Sequence, residues 1–192
     1  TDVAVFGTNP MLSDMLRINP FSFPKNIHVL EHMDRLVEIF NVCWPMYAAM
    51  PAVLKNAVEK SYIDCGWDMV TSKNKYGENL YPSFADTARN VREIIDSSEY
   101  DSENKGAYKG SLLTRLQSLC NGINGMIFAA DEINEEELFD ENVIVDLSRV
   151  GSSETKSLIM GMMVLKLQEY RMSSATGMND ELKHITVLEE AH

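Results

Sequence analysis

The chain has 192 residues, three cysteines and a formal net charge of −12. That length suits one domain, two at most, and is enough to bury a core without disulfides or metal. The acidic balance argues against unaided binding to nucleic acid, because basic groups neutralising phosphate supply most non-specific affinity. Cys43, Cys65 and Cys120 are widely spaced and form no C-x-x-C pair, which points to reduced thiols and a cytoplasmic setting. No apolar run approaches the roughly 18 residues of a membrane span. The start at Thr1-Asp2 reads as neither a signal nor a transit peptide, and it lacks an initiator Met, as expected of a piece excised from a longer protein.

Val3 to Phe6 is a short apolar run ended by Gly7, which suits a strand. Leu16-Arg17-Ile18-Asn19-Pro20-Phe21 alternates until Pro20 and Pro24 stop any regular element. Ile27 to Trp44 is helical by period, with Leu30, Met33, Leu36, Val37 and Phe40 on one face, Asn26 as N-cap and Pro45 forbidding continuation. Pro51 fits the first turn of a second helix, whose stripe is Val53, Leu54, Ala57, Val58 and Tyr62, and Gly66 closes it. Residues 71 to 81 read as loop. Ser83-Phe84-Ala85-Asp86 is a capping box opening a third helix to about Asp96. A fourth runs from about Ser102 to Cys120 on Leu112, Leu113, Leu116 and Leu119, ended by Gly122 and Gly125. The stretch 26–122 is therefore expected to be all helix.

Met126 to Ala129 suits a short strand. The acids Asp131, Glu132, Glu135, Glu136, Glu137, Asp140 and Glu141 carry no base among them and read as a solvated connector. Val143-Ile144-Val145-Asp146 has the pattern of a buried parallel strand ending in an acid. A helix from about Gly151–Ser153 to Met172 looks apolar nearly all round, and Ile185-Thr186-Val187-Leu188 reads as another buried strand. Strand, helix and strand make a βαβ unit with parallel strands and a right-handed crossover.

The chemistry is concentrated at the end of that unit, in Leu188-Glu189-Glu190-Ala191-His192. In open α/β sheets ligands bind outside the carboxyl ends of the strands. A nucleotide-hydrolysing site needs one carboxylate on the Mg²⁺ side and a second that orients the attacking water. Neighbouring side chains on a strand point to opposite faces, so Glu189 and Glu190 would divide these tasks.

This string resembles the Walker B and D-E-A-H-type motif of P-loop ATPases, with Glu189 where Asp is usual. Arg17-Ile18-Asn19-Pro20-Phe21 with Phe23-Pro24 and Glu31 to Leu36 resembles the HerA-like branch of the HerA/FtsK superfamily, which includes type IV secretion ATPases. So do Phe40 to Tyr47 with Met50-Pro51 and Gly66-Trp67-Asp68, and Val145 to Ser152 with Glu154-Thr155-Lys156. The segments follow the family's order and cover nearly the whole chain. The resemblance implies an α/β fold over 1–192, a partial RecA-like P-loop NTPase parallel sheet with a large all-helical insertion at 26–122. It implies a ring, commonly a hexamer, that moves DNA using ATP and Mg²⁺, in the manner of a translocase or helicase. Glu189 would be the metal-side acid and Glu190 the water-orienting base. Asp146 and His192 would face the nucleotide and Arg149 would serve as an arginine finger. No G-x-x-x-x-G-K-[ST] occurs in the 192 residues, and the family places it upstream of residue 1, so this piece alone is expected to lack appreciable ATPase activity.

Other readings compete. Asp146 and Arg149 also suit a turn and capping network with Ser148, Ser152 and Ser153. Arg115, a second finger candidate, suits a helix-surface salt bridge. The helical stretch could be a non-catalytic protein-interaction module. His28-Val29-Leu30-Glu31-His32 spells the H-x-x-E-H string of a class of zinc peptidases, although no third ligand is evident.

Overall fold

A computed structural model describes residues 3–77, 80–174, 182 and 184–189 of the chain. It is a mixed α/β structure in which a small parallel sheet adjoins a larger set of helices. Strand β1 (Ala4–Gly7) lies at the centre, between β2 (Asp14–Met15) and β5 (Val143–Asp146). β1 and β5 run parallel along their whole length, with Ala4 opposite Val143 and Gly7 opposite Asp146. A Cβ at Gly7 would come within 2.3 Å of Ser13 Oγ, so a larger residue there would force the Ser13 hydroxyl to turn away where the chain comes back to pair β2.

The sheet has one covered and one open face. Alternation sends Phe6, Ala4, Val143 and Val145 to the core. On the other face Val5 and Ile144, neighbours in the register, are 44% and 55% exposed. The apolar run 143–146 forms the expected strand and the expected parallel pairing, but β5 is only half-buried.

The helices follow from their apolar periodicity. These are α1 (Val29–Cys43), α2 (Met50–Asp64), α3 (Phe84–Ser97), α4 (Ser102–Cys120), α5 (Gly122–Ile127), α6 (Glu135–Phe139) and α7 (Ser153–Ser174). α3 packs on α2 and α4, while α1 packs on both α2 and α7. Ser83 and Asp86 form the capping box at the start of α3, and Pro51 sits in the first turn of α2. α1 is capped by His28, whose Nδ1 accepts from Leu30 N–H at 3.2 Å, and not by Asn26. Asn26 reaches α7 instead and donates to Ser173 O at 3.2 Å.

Between α2 and α3 the chain makes a small hairpin, β3 (Trp67–Asp68) and β4 (Lys73–Asn74), so the stretch 26–122 is not all helix. Asp68 Oδ1 accepts from the Val70 and Thr71 N–H groups, which organises the turn locally. Gly66 enters the hairpin at φ +96°, a conformation that disfavours a side chain. Trp67 then stacks on Tyr81 and packs against Phe23, in an aromatic group completed by Tyr62, Phe21 and Phe84. Tyr62 is wholly buried, and its hydroxyl donates to Phe21 O at 2.7 Å.

Two expected strands take other forms. Met126 to Ala129 is not a strand: α5 runs to Ile127, because Gly122, at φ +57°, turns the chain and helix resumes. Ile185 to Leu188 lie outside helix and strand, with Ile185 73%, Val187 76% and Leu188 54% exposed. The buried strand and the βαβ unit expected there are absent from the described residues. No helix among the described residues is long and apolar enough to cross a membrane.

Candidate functional site

The residues expected to carry chemistry fall at two places. The first is the carboxyl end of the sheet. Asp146 closes β5 beside Gly7 of β1 and is exposed. Its Oδ1 accepts from Ser148 N–H at 2.9 Å. The Ser148 hydroxyl and N–H, and then the Arg149 charge, hold this carboxyl below the usual range. Ser152 Oγ accepts from Thr155 N–H at 3.2 Å at the start of α7. Asp146, Ser148 and Ser152 thus make the turn and cap that lead from β5 into α7, and Arg149 stands exposed among them. One residue past β1, Thr8 is buried, and its hydroxyl has no hydrogen-bond partner among the described residues. Leaving such a group unpaired costs about 1–3 kcal/mol.

The second place is the C-terminal string. Glu189 is exposed in a bend, off the sheet, and Glu190 and His192 lie outside the described residues. The described structure therefore does not bring Glu189 onto a strand. Among the described residues, no group of acids, histidines or cysteines that could hold Mg²⁺ gathers around Glu189. Arg115 is tied to the start of α7, its Nε donating to Glu154 Oε1 at 3.1 Å.

The H-x-x-E-H string is dispersed among other tasks. His28 caps α1, with its Nε2 3.2 Å from Val70 O. Glu31 pairs with Arg35 one turn on. His32 is fully buried, with Nδ1 2.8 Å from Glu169 Oε2 and Nε2 3.1 Å from Pro20 O. Both ring nitrogens are thus engaged by oxygens of the fold, and the string joins no cluster of potential metal ligands among the described residues. The zinc reading is thereby corrected by geometry.

What the residue pattern did not announce is a buried polar seam between α1, α7 and the segment 17–23. Glu169, wholly buried on α7, accepts from His32 and also from Arg35 Nη1 at 3.1 Å. One turn earlier Lys166, also buried, donates to Ser22 Oγ at 2.7 Å and pairs with Glu132 at 2.9 Å and Glu135 at 3.6 Å. Ser22 Oγ in turn bonds Glu132, which also accepts from Asn19 N–H at 3.1 Å. The acidic run is thus not a free connector: Glu132 and Glu135 hold Lys166, and Asp140 pairs with Arg171 at 2.6 Å. Burial pushes the Glu135 carboxyl up, Lys166 pulls it down and Glu132 pushes it up again, with a raised value as the outcome.

A serine beside a lysine invites comparison with nucleophilic dyads. Here Lys166 is held by two carboxylates, and Ser22 is buried beneath the chain, so the pair joins elements and does not expose a nucleophile. α7 is consequently not apolar all round. Lys166 and Glu169 sit in its buried stripe with Ile159, Met162 and Leu165, and Val164 faces solvent. The signal was present in outline, because His32 lies one helical turn before Leu36, on the apolar stripe of α1.

No family model matches this chain, and neither a curated protein nor a solved structure matches it.

Proposed function

We propose that this chain is part of an ATP-driven motor that moves DNA, of the kind the HerA/FtsK-type ATPases represent, with a RecA-like sheet of which β2, β1 and β5 are one part. The observation that carries the reading is the parallel pairing of β1 with β5. It aligns Gly7 and Asp146 at a common carboxyl end and leads directly into α7. That is the end where α/β sheets bind ligands. The orphaned Thr8 hydroxyl lies at the same end. The open sheet face at Val5 and Ile144 also fits, because parallel sheets are normally covered on both sides.

In this reading Ile185 to Leu188 add to the sheet beside β5 once the P-loop element of the intact protein is present. Glu189 then serves as the Mg²⁺-side acid and Glu190 as the base that orients water. Arg149 faces a nucleotide across a subunit boundary, and Asp146 and His192 line the site. ATP, Mg²⁺, DNA and a ring of subunits belong to the intact protein, and this chain alone does not turn over ATP.

The test is ATPase activity in a protein that restores the upstream P-loop. Glu190→Gln there is expected to cut turnover about 10²-fold or more while nucleotide binding persists. Turnover that survives the substitution refutes the assignment. A second reading, a non-catalytic helical interaction module, is favoured by the exposure of Ile185, Val187 and Glu189. Partner capture that depends on 26–122 and is indifferent to nucleotide in the longer protein would select it.

A further inference from the structure

α1 and α7 lie antiparallel. Asn26 meets Ser173, Arg35 meets Glu169, and Ile39 meets Gly161. At the last of these points a side chain on Gly161 would come within 2.9 Å of Ile39 Cγ2, so the missing Cβ brings the helices together and leaves a trough on their outer side. The trough encloses about 690 Å³ and is floored by Ile39, Met160, Gly161, Val164 and Leu165. Val164 is 46% exposed within it, on a helix whose other apolar residues are mostly covered. α1 has 15 residues, so the trough borders a helix about 22 Å long. An open apolar channel of that form suits the face of another helix better than a small molecule, which needs enclosure.

Charge decides what kind of helix. Asp34 and Glu38, one turn apart on α1, stand on the rim. Asp34 is bridged to the exposed Lys55, whereas Glu38 joins no ion pair among the described residues. Arg35, the rim's one cation, is already held by Glu31 and Glu169. The rim itself thus carries two acids, Asp34 and Glu38, against one base, Arg35, whose charge is already met within the fold. A second copy of the chain would bring another net charge of −12 against this surface. We propose that the α1–α7 trough docks an amphipathic helix of a partner protein whose apolar stripe is bordered by Lys or Arg. This depends on the helix pair alone and stands apart from the motor reading.

The probe is a labelled Leu/Lys amphipathic peptide of about 18 residues, titrated against the full chain at about 0.15 M salt and followed by anisotropy. Its Leu/Glu counterpart is the control. The Leu/Lys peptide is expected to bind, with the Leu/Glu peptide at least about tenfold weaker. Val164→Asp and Glu38→Lys are each expected to lower affinity about tenfold. Both residues are exposed, and circular dichroism checks the fold; Glu38→Lys decides the matter if Val164→Asp does not fold. Equal binding by the parent and a folded variant assigns the affinity to diffuse charge and overturns the proposal. So does self-association that Val164→Asp abolishes, which assigns the trough to a second copy.

Discussion

Replacing Glu169 with Ala tests the buried seam most directly. Glu169 has no exposed surface and accepts two hydrogen bonds, from His32 Nδ1 at 2.8 Å and from Arg35 Nη1 at 3.1 Å. Arg35 is 24% exposed and keeps Glu31, so its loss is small, below about 1 kcal/mol. His32 is different, because removing Glu169 leaves a buried ring N–H without its acceptor, at about 2–3 kcal/mol. The sum, about 2–4 kcal/mol, overlaps the roughly 3–5 kcal/mol typical of breaking a buried pair. Chemical denaturation should show that loss, and thermal unfolding a fall of roughly 10 °C. Glu169→Gln keeps the shape and one acceptor, so about half the loss should return. In a double-mutant cycle with His32→Ala the two sites should couple by at least about 1 kcal/mol. A Glu169→Ala protein within about 1 kcal/mol of the parent would refute the view that this seam holds α1 to α7.

Three further outcomes follow from local geometry. Ser83→Ala should cost about 1 kcal/mol by removing the α3 cap. At its partner Asp86, burial raises the carboxyl pKa, but the Ser83 hydroxyl and N–H and then Arg89 outweigh this and hold it low. A depressed folded pKa stabilises above the ordinary Asp range, so the gap between parent and Ser83→Ala should narrow as pH falls through the depressed value. Glu135 has the opposite sign: its raised folded pKa makes the charged form costly, and the cost is relieved as pH falls through that value towards the ordinary Glu range. Glu135→Gln should therefore leave stability at pH 7 unchanged or higher and flatten the parent's relative gain on acidification, as measured by urea unfolding at several pH values. Gly66→Ala should cost about 1–2 kcal/mol, since the φ of +96° disfavours a Cβ that would also meet the Tyr76 ring at 2.5 Å.

The features that could be read from the sequence are those set by short-range rules. The Ser83–Asp86 box, Pro51 in its first turn and the strand at Val143–Asp146 depend on residues within a few positions of one another. The seam could not be read in this way, because a Lys and a Glu inside an apolar helix become tolerable only through partners far along the chain. Ser22 and Lys166 are separated by 144 positions. Ile185 to Leu188 have the composition of a buried strand, yet composition fixes a strand only when another strand is there to pair with it. Asp146 was legible both as a strand-tip acid and as a turn residue, and the Ser148 contact shows the turn role. The open sheet face could not have been foreseen, because it depends on what is packed against Val5 and Ile144 and not on the two residues themselves.

The clasp of α1 by α7 also has a temporal side. His32 and Arg35 meet Glu169 across 137 and 134 positions, so in a growing polypeptide the first helix is made long before its cover. At about 5–20 residues per second the wait is on the order of 10 s. Through that interval the apolar stripe of Met33, Leu36 and Phe40 lacks the cover of α7, and the histidine among them lacks its carboxylate partner. Newly made chains are thus most exposed to aggregation just before Ser153–Ser174 leaves the ribosome, and a chaperone that binds apolar helices would act in that window.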